Sequence, residues 1–373
     1  MNHQFLSIQL ANTIMDRYPN PDTYPYKSWC YCQGFVLLGF CRLYEDTRDP
    51  VYRNYILRYV DRHVLEDGTI DRFHGDNLDD MLPGAVLVWA YQETGKESYR
   101  KACDLIYASF KSYPRNREGG FWHNRIEFPR EMWVDGVFMD GMFLLAYAKA
   151  FPQYAADCYD ELTNQLDCIF TLCHKWGGLL CHAHSENPAC GWADPVTGRS
   201  SEVWSEGLGW YTMVLTHTVC DLPELHPSYH RLRSRLQELL NTLCTLQGSD
   251  GLWYQVVDRP ERPDNWTDTS GSAMFLYSMM EARQRIPSHP QQWDTAIAAG
   301  LNGLSSRIRP DRKGNLDVLG ACDGVCVQMG YRQYVEYPRV PNAKEAVGAV
   351  LWAEERAERD SIRQRNGESS CPI

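Results

Sequence analysis

Helices that are apolar on every side alternate along this chain with helices that are apolar on one side only. That alternation limits the fold more than any other feature. One-sided patterns are predicted at 5–18, 52–65, 98–113, 154–173, 230–247 and 293–308. Patterns apolar nearly all round begin at 33 and at 78, 135, 204, 270 and 343. β-branched alternating runs are few. The connections after one-sided helices repeat as well. Asp67-Gly68-Thr69, Gly119-Gly120-Phe121-Trp122, Gly177-Gly178-Leu179, Asp250-Gly251-Leu252-Trp253 and Lys313-Gly314-Asn315 are each a turn that leads into a short apolar segment. A period of roughly 50–70 residues with one helix pair per unit signals a closed or stacked helical array. An open solenoid would leave each inner helix one wet face, which these sequences do not supply. The expectation is therefore an all-α, single-domain (α/α)6 barrel over residues 1–373, with six inner and six outer helices. The tail after about 359 is polar and expected to be flexible.

The 373 residues carry a net charge of −11 and no long Lys/Arg run, so neither nucleic acid nor an anionic membrane is an expected partner. No signal peptide is expected from Met1-Asn2-His3-Gln4-Phe5, and no apolar run approaches the length of a membrane span. The 14 Cys are scattered without paired metal-site spacing and, with no export signal expected, read as reduced, mostly buried thiols, which predicts a cytoplasmic protein. Aromatic content is 12%, enough to line a concave surface that suits sugar faces or flat ligands.

The longer connections, 186–201 and 258–269, join an outer helix to the next inner one and predict that the site lies at that end. Polar and aromatic clusters recur at the same point of the repeat: Trp29-Cys30-Tyr31, Asn77-Leu78-Asp79-Asp80, His123 with Trp133-Val134-Asp135, His182-Ala183-His184, Trp204-Ser205-Glu206 with Trp210, and Asp264-Asn265-Trp266. Asp135 stands at the mouth of a buried helix among Trp and Met side chains. Poor hydration favours the neutral, proton-donating form of such a carboxylate, and a general acid needs that form near neutral pH. A plainer reading makes Asp135 a helix cap, with Trp133 packed on a neighbour. In a barrel, Asp79 and Asp135 come from adjacent inner helices and face each other, each charge opposing the other's ionisation. Asp80 and Asp140 fall on other helix faces and are assigned surface or capping roles. His182 and His184 could chelate a metal, but no Asp, Glu or Cys at a familiar spacing completes the set, so no metal is predicted. No Walker loop, dinucleotide fingerprint or serine nucleophile elbow is present.

Taken together, Tyr31-Cys32-Gln33-Gly34, Asn77-Leu78-Asp79, Gly119-Gly120-Phe121-Trp122-His123, Met132-Trp133-Val134-Asp135-Gly136, Trp204 with Gly209-Trp210-Tyr211, and Gly251-Leu252-Trp253-Tyr254 followed by Asp264-Asn265-Trp266 resemble the unsaturated rhamnogalacturonyl hydrolases. These form glycoside hydrolase family 105 and are related to the unsaturated glucuronyl hydrolases of family 88. The resemblance runs over nearly the whole length and implies an (α/α)6 barrel. It also implies a reaction on short oligosaccharides, pectin-derived among them, that end in a 4,5-unsaturated uronic acid. A carboxylic acid protonates C4 of the enol ether, water adds at C5, and the resulting hemiketal opens. Ordinary glycosidases instead displace the leaving group with two carboxylates. The resemblance makes Asp135 the proton donor and activator of water, and Asp79 the residue that holds the sugar. Tyr31, His123, Trp133, His182, Trp204 and Trp210 fall at or next to pocket positions, and no metal or organic cofactor is implied.

Two departures stand out. Glu206 occupies a position where such enzymes often carry Arg, and it is expected to alter substrate preference. Near the C-terminus, Asn342-Ala343-Lys344-Glu345-Ala346 lacks the acid and imidazole of the family pattern, and Cys322-Asp323-Gly324-Val325-Cys326 keeps only part of its motif. A sugar epimerase using paired histidines and a non-catalytic sugar-binding protein are the alternatives.

Overall fold

The structure is a computed structural model that describes residues 5–26, 28–286 and 288–365. The tail from 366 to 373 therefore lies outside the described residues, as does the start of the N-terminal stretch. Thirteen helices are present among the described residues: α1 (Leu6–Arg17), α2 (Tyr31–Thr47), α3 (Pro50–His63), α4 (Leu82–Thr94), α5 (Glu97–Ser109), α6 (Gly136–Ala150), α7 (Ala155–Cys173), α8 (Ser205–Asp221), α9 (Tyr229–Thr245), α10 (Thr269–Arg285), α11 (Gln291–Ser305), the short α12 (Tyr331–Val335) and α13 (Lys344–Arg365). Strands are two or three residues long and pair antiparallel: β1 (Glu131–Trp133) with β2 (Ala183–Ser185), and β3 (Trp253–Tyr254) with β4 (Thr267–Asp268). In the same way β5 (Ile308–Pro310) pairs with β6 (Leu316–Val318), and β7 (Ala321–Cys322) with β8 (Arg339–Val340).

Contacts divide the chain into two compact units, 15–174 with 181–201, and 1–14 with 175–180 and 202–373. In the first, α2, α4 and α6 pack side by side, and α3, α5 and α7 each coat the helix they precede or follow. Burial matches the sequence pattern. α6 buries 12 of its 15 residues. α5 buries only Tyr99, Ala102, Cys103 and Ile106, one stripe at helical spacing. In the second unit α10 lies between α8 and α13, with α9 and α11 outside them. α1 begins there, where the Ser7 backbone N–H donates to Glu358 of α13 at 3.1 Å.

Local chemistry explains the boundaries. Asp49 accepts from the Val51 N–H at 3.0 Å and Pro50 opens α3 with a φ already helical. α4 stops at Gly95, whose φ of 67° closes the last turn. The repeated connections share a left-handed glycine, at Gly68, Gly119, Gly177, Gly178, Gly251 and Gly314. Gly251 shows why: at φ 84° a side chain is strained, and a Cβ there would sit 2.2 Å from the Ala299 carbonyl oxygen of α11.

The positions of the two acids are finer than a helix count predicts. Asp79 lies on a single 3-10 turn, Leu78–Asp80, that leads into α4. Asp135 is the residue before α6, in right-handed helical conformation, and its side chain makes no capping bond. The plainer reading of Asp135 as a cap is thus not what the backbone uses it for. Asp140 departs from the surface or capping role expected of it. It is buried within α6, because that helix is enclosed on all faces, and burial pushes its carboxyl well above the ordinary range.

Candidate active site

In the first unit, the loop segments before α4 and α6 are sewn together by main-chain bonds. His123 donates its N–H to the Glu131 carbonyl at 2.7 Å and accepts from the Leu78 N–H at 3.0 Å. The Val134 N–H donates to the His182 carbonyl at 3.0 Å, continuing the pairing of β1 with β2. Asn77 accepts from the Asp79 N–H at 3.1 Å and fixes the turn that presents Asp79. These bonds bring four predicted residues, far apart in sequence, to one place.

Each acid faces an imidazole. His123 Nε2 lies 3.6 Å from Asp79 Oδ1, and His182 Nε2 lies 3.3 Å from Asp135 Oδ2. The side chains of His123 and His182 are 5% and 0% exposed, whereas Asp79 and Asp135 keep 14% and 13%. The imidazoles are thus sealed in, and the carboxylates retain a window through which a ligand can be reached. Trp133 stands between the two pairs. Its ring stacks on His123 with centroids 4.3 Å apart and planes within 6°, and meets His182 edge-on at 5.7 Å. Phe128 lies 4.6 Å from the indole and 6.3 Å from His123, beside the stack rather than on its far face. Gly136 lets α6 start this close to the cluster, since a Cβ there would fall 3.1 Å from His123 Nδ1. Tyr31 opens α2 and packs edge-on against Tyr26, on the turn whose Trp29 Nε1–H donates to the Asp80 carbonyl at 2.9 Å. A cavity of about 400 Å³ is lined by Trp29, Arg72, Asn77, Asp80, Asn124 and Glu127 among others, and neither acid of the pair nor Tyr31, His123, Trp133 or His182 belongs to its lining. Among the described residues no group of three or more His, Cys, Asp or Glu is arranged to hold a metal ion.

Glu131 is the residue that sequence reading missed. Its Oε2 accepts from the Trp133 indole N–H at 2.8 Å, and the Cys190 thiol donates to Oε1 at 3.5 Å. Burial raises its pKa above the ordinary value, opposed by these two bonds and by the nearby His123 and His182. Period two along a strand puts Glu131 and Trp133 on one face. That signal was available, but a strand three residues long gives periodicity too little to act on. His184 behaves unlike His182. A Cβ on Gly198 would lie 2.6 Å from its Nε2, and burial lowers its pKa.

The remaining predicted residues, Trp204, Glu206 and Trp210, belong to the second unit at the start of α8, and all three are buried. Glu206 Oε2 is 2.7 Å from Ser270 Oγ, which is 2.9 Å from Asp268 Oδ2. The Ser270 hydroxyl thus lies within donating distance of both carboxyl groups, and burial raises the pKa of Asp268. Trp204 lies under Val256, Val325 and Tyr334. The two altered C-terminal motifs are joined to each other, because Lys344 Nζ pairs with Asp323 at 3.0 Å and with Glu345 at 3.1 Å.

The family model Glycosyl Hydrolase Family 88 matches residues 6–360. The chain belongs to glycosyl hydrolase family 88. It is a glycoside hydrolase, and its relatives agree with that. The unsaturated rhamnogalacturonyl hydrolase YesR of Bacillus subtilis is 25% identical over 291 residues, covering 75% of this chain and 79% of YesR. The solved family 105 glycoside hydrolase of C. acetobutylicum is 29% identical, with a TM-score of 0.87 over 95% of this chain and 100% of that one. The unsaturated glucuronyl hydrolase of Bacillus sp. GL1 shares the fold at a TM-score of 0.71 and 14% identity, over 95% of both chains. The all-α architecture of paired helices expected from the alternation, the (α/α)6 barrel, is the fold of this family 88 chain. No described helix is long and apolar enough to cross a membrane.

Proposed function

We propose that this family 88 enzyme removes a 4,5-unsaturated uronic acid from the non-reducing end of lyase-generated oligosaccharides, of the rhamnogalacturonan type named for YesR. The observation that carries the reading is the Asp135 carboxylate, nearly buried at the mouth of α6, 3.3 Å from a sealed imidazole. In this reading Asp135 delivers a proton to C4 of the enol ether. The same group, then a carboxylate, takes a proton from the water that adds at C5. The hemiketal so formed opens and releases the remaining sugar. His182 holds Asp135 in place, and Asp79, itself held by His123, binds a sugar hydroxyl. Tyr31 and Trp133 are assigned as the aromatic partners of the sugar ring. Trp204, Glu206 and Trp210 are assigned to substrate recognition from the family resemblance, with Glu206 as the residue that shifts preference. The whole chain acts as one catalytic domain in the cytoplasm, in keeping with thirteen described cysteines that form no disulfide. It needs no metal or organic cofactor, and neither nucleic acid nor membrane is a partner.

Turnover in deuterated water tests the route. Hydration of the double bond predicts deuterium at C4 of a ring-opened keto acid. Release of an intact unsaturated uronic acid, with no deuterium at C4, would mean direct displacement at the anomeric carbon and would end this reading.

A further inference from the structure

Trp133 touches both imidazoles of the site, so whatever fixes its indole fixes both acid–imidazole pairs. Packing alone leaves a flat ring free to slide over His123, on which it stacks at 4.3 Å, because Phe128, 4.6 Å from the indole and 6.3 Å from His123, does not close the opposite face. The hydrogen bond from its Nε1 to Glu131 Oε2 at 2.8 Å removes that freedom. Glu131 holds the same group from a second side, because its own carbonyl accepts the His123 N–H at 2.7 Å. The stacked His123 ring and its backbone are therefore both tied to one residue. Glu131 is buried, and the groups that face it are the Trp133 indole, the Cys190 thiol and the two imidazoles. A buried carboxylate with one strong donor is costly to keep.

We infer that Glu131 is a positioning residue of the reaction, holding the Trp133 indole so that His123 and His182 orient Asp79 and Asp135. The inference rests on the hydrolase reading above. The part Glu131 plays is that of a hydrogen-bond acceptor, not of a charge. Glutamine, whose amide oxygen can accept the same indole proton at 2.8 Å, is therefore a close substitute.

The test compares E131Q, E131A and W133F in the full chain on an unsaturated disaccharide. E131Q is expected to keep kcat within about threefold of wild type, while E131A loses about 10²-fold in kcat with KM nearly unchanged. In the W133F background, which has no indole N–H to hold, E131A is expected to cost nothing more. An E131Q variant as impaired as E131A, or losses that multiply in the double variant, would overturn the inference. If E131A does not fold, E131D decides: it keeps the charge but falls short of the indole, and full activity in E131D would count against the inference. A wild-type enzyme that leaves every unsaturated disaccharide untouched would sink only the hydrolase reading. The positioning claim is then decided by the His123 C2 proton in NMR spectra. The stacked indole should shift it upfield in wild type and E131Q, and the shift should be lost in E131A or E131D. An unchanged resonance in those variants would refute it.

Discussion

A carboxylic acid that delivers a proton and then accepts one must be held still, yet must not be buried so deeply that substrate cannot reach it. Asp135 meets both conditions, with 13% of its side chain exposed and His182 fully enclosed at 3.3 Å. Its place at the mouth of α6 was legible, because the apolar run that becomes the helix begins directly after it. Its partner was legible only as a residue type. His182 lies 47 positions further on, and the link is the pairing of β1 with β2, which no local pattern announces. The same limit explains why Asp140 was misjudged: helical spacing separates faces, but in α6 every face is inside. Replacing His182 with phenylalanine keeps the packing on Trp133 and removes the nitrogen that faces Asp135. The expected outcome is a properly folded enzyme with kcat down about 10²-fold. Full activity in H182F, with an unchanged circular dichroism spectrum, would show that Asp135 needs no such partner.

Between elements, close approach is set by small residues rather than by large ones. α8 and α10 touch where Gly271 leaves no room: a Cβ there would lie 2.1 Å from Ser205 Oγ and 2.6 Å from the Ser205 carbonyl carbon and oxygen. Because the obstacle includes backbone, rotating a side chain cannot relieve it. Gly271→Ala is therefore expected to destabilise the protein by about 1–3 kcal/mol or more, read as a lower urea midpoint. A midpoint equal to wild type would mean that α8 and α10 are not packed this tightly. Gly271 also closes the cap of α10, with its N–H donating to Asp268 at 2.7 Å. The sequence shows Asp268 before a run of small residues, which marks the cap. It does not show that Glu206 shares Ser270 with that Asp, because Glu206 and Ser270 lie 64 positions apart.

At the level of the whole chain, alternation of one-sided and enclosed helices was enough to give the architecture, because enclosure demands neighbours on all sides and coating helices can supply them only in pairs. The loops were less legible. The segment around α12, over Trp204, carries no periodic signal, and the Lys344–Asp323 pair that joins two altered motifs bridges 21 positions. Charge is also distributed unevenly. On α13 burial pushes the Glu354 carboxyl up to about 8, with Glu358 adding to the effect. A raised acid is held protonated in the folded state, so its contribution is fully present below the ordinary glutamate value and is lost as pH rises through about 8. E354Q removes that dependence. Melting curves should show the variant gaining on wild type between about pH 5 and about pH 9, and parallel curves would contradict the assignment.

The central claim is that Asp135 protonates an unsaturated uronide. The direct measurement is the loss of ultraviolet absorbance of the double bond, followed for wild type and Asp135→Asn on lyase-generated disaccharides from rhamnogalacturonan and related polysaccharides. The account predicts decay with wild type on at least one of them, and a loss of about 10²–10⁴-fold in the equally well folded variant. Equal decay with both proteins, or none with either, would contradict it.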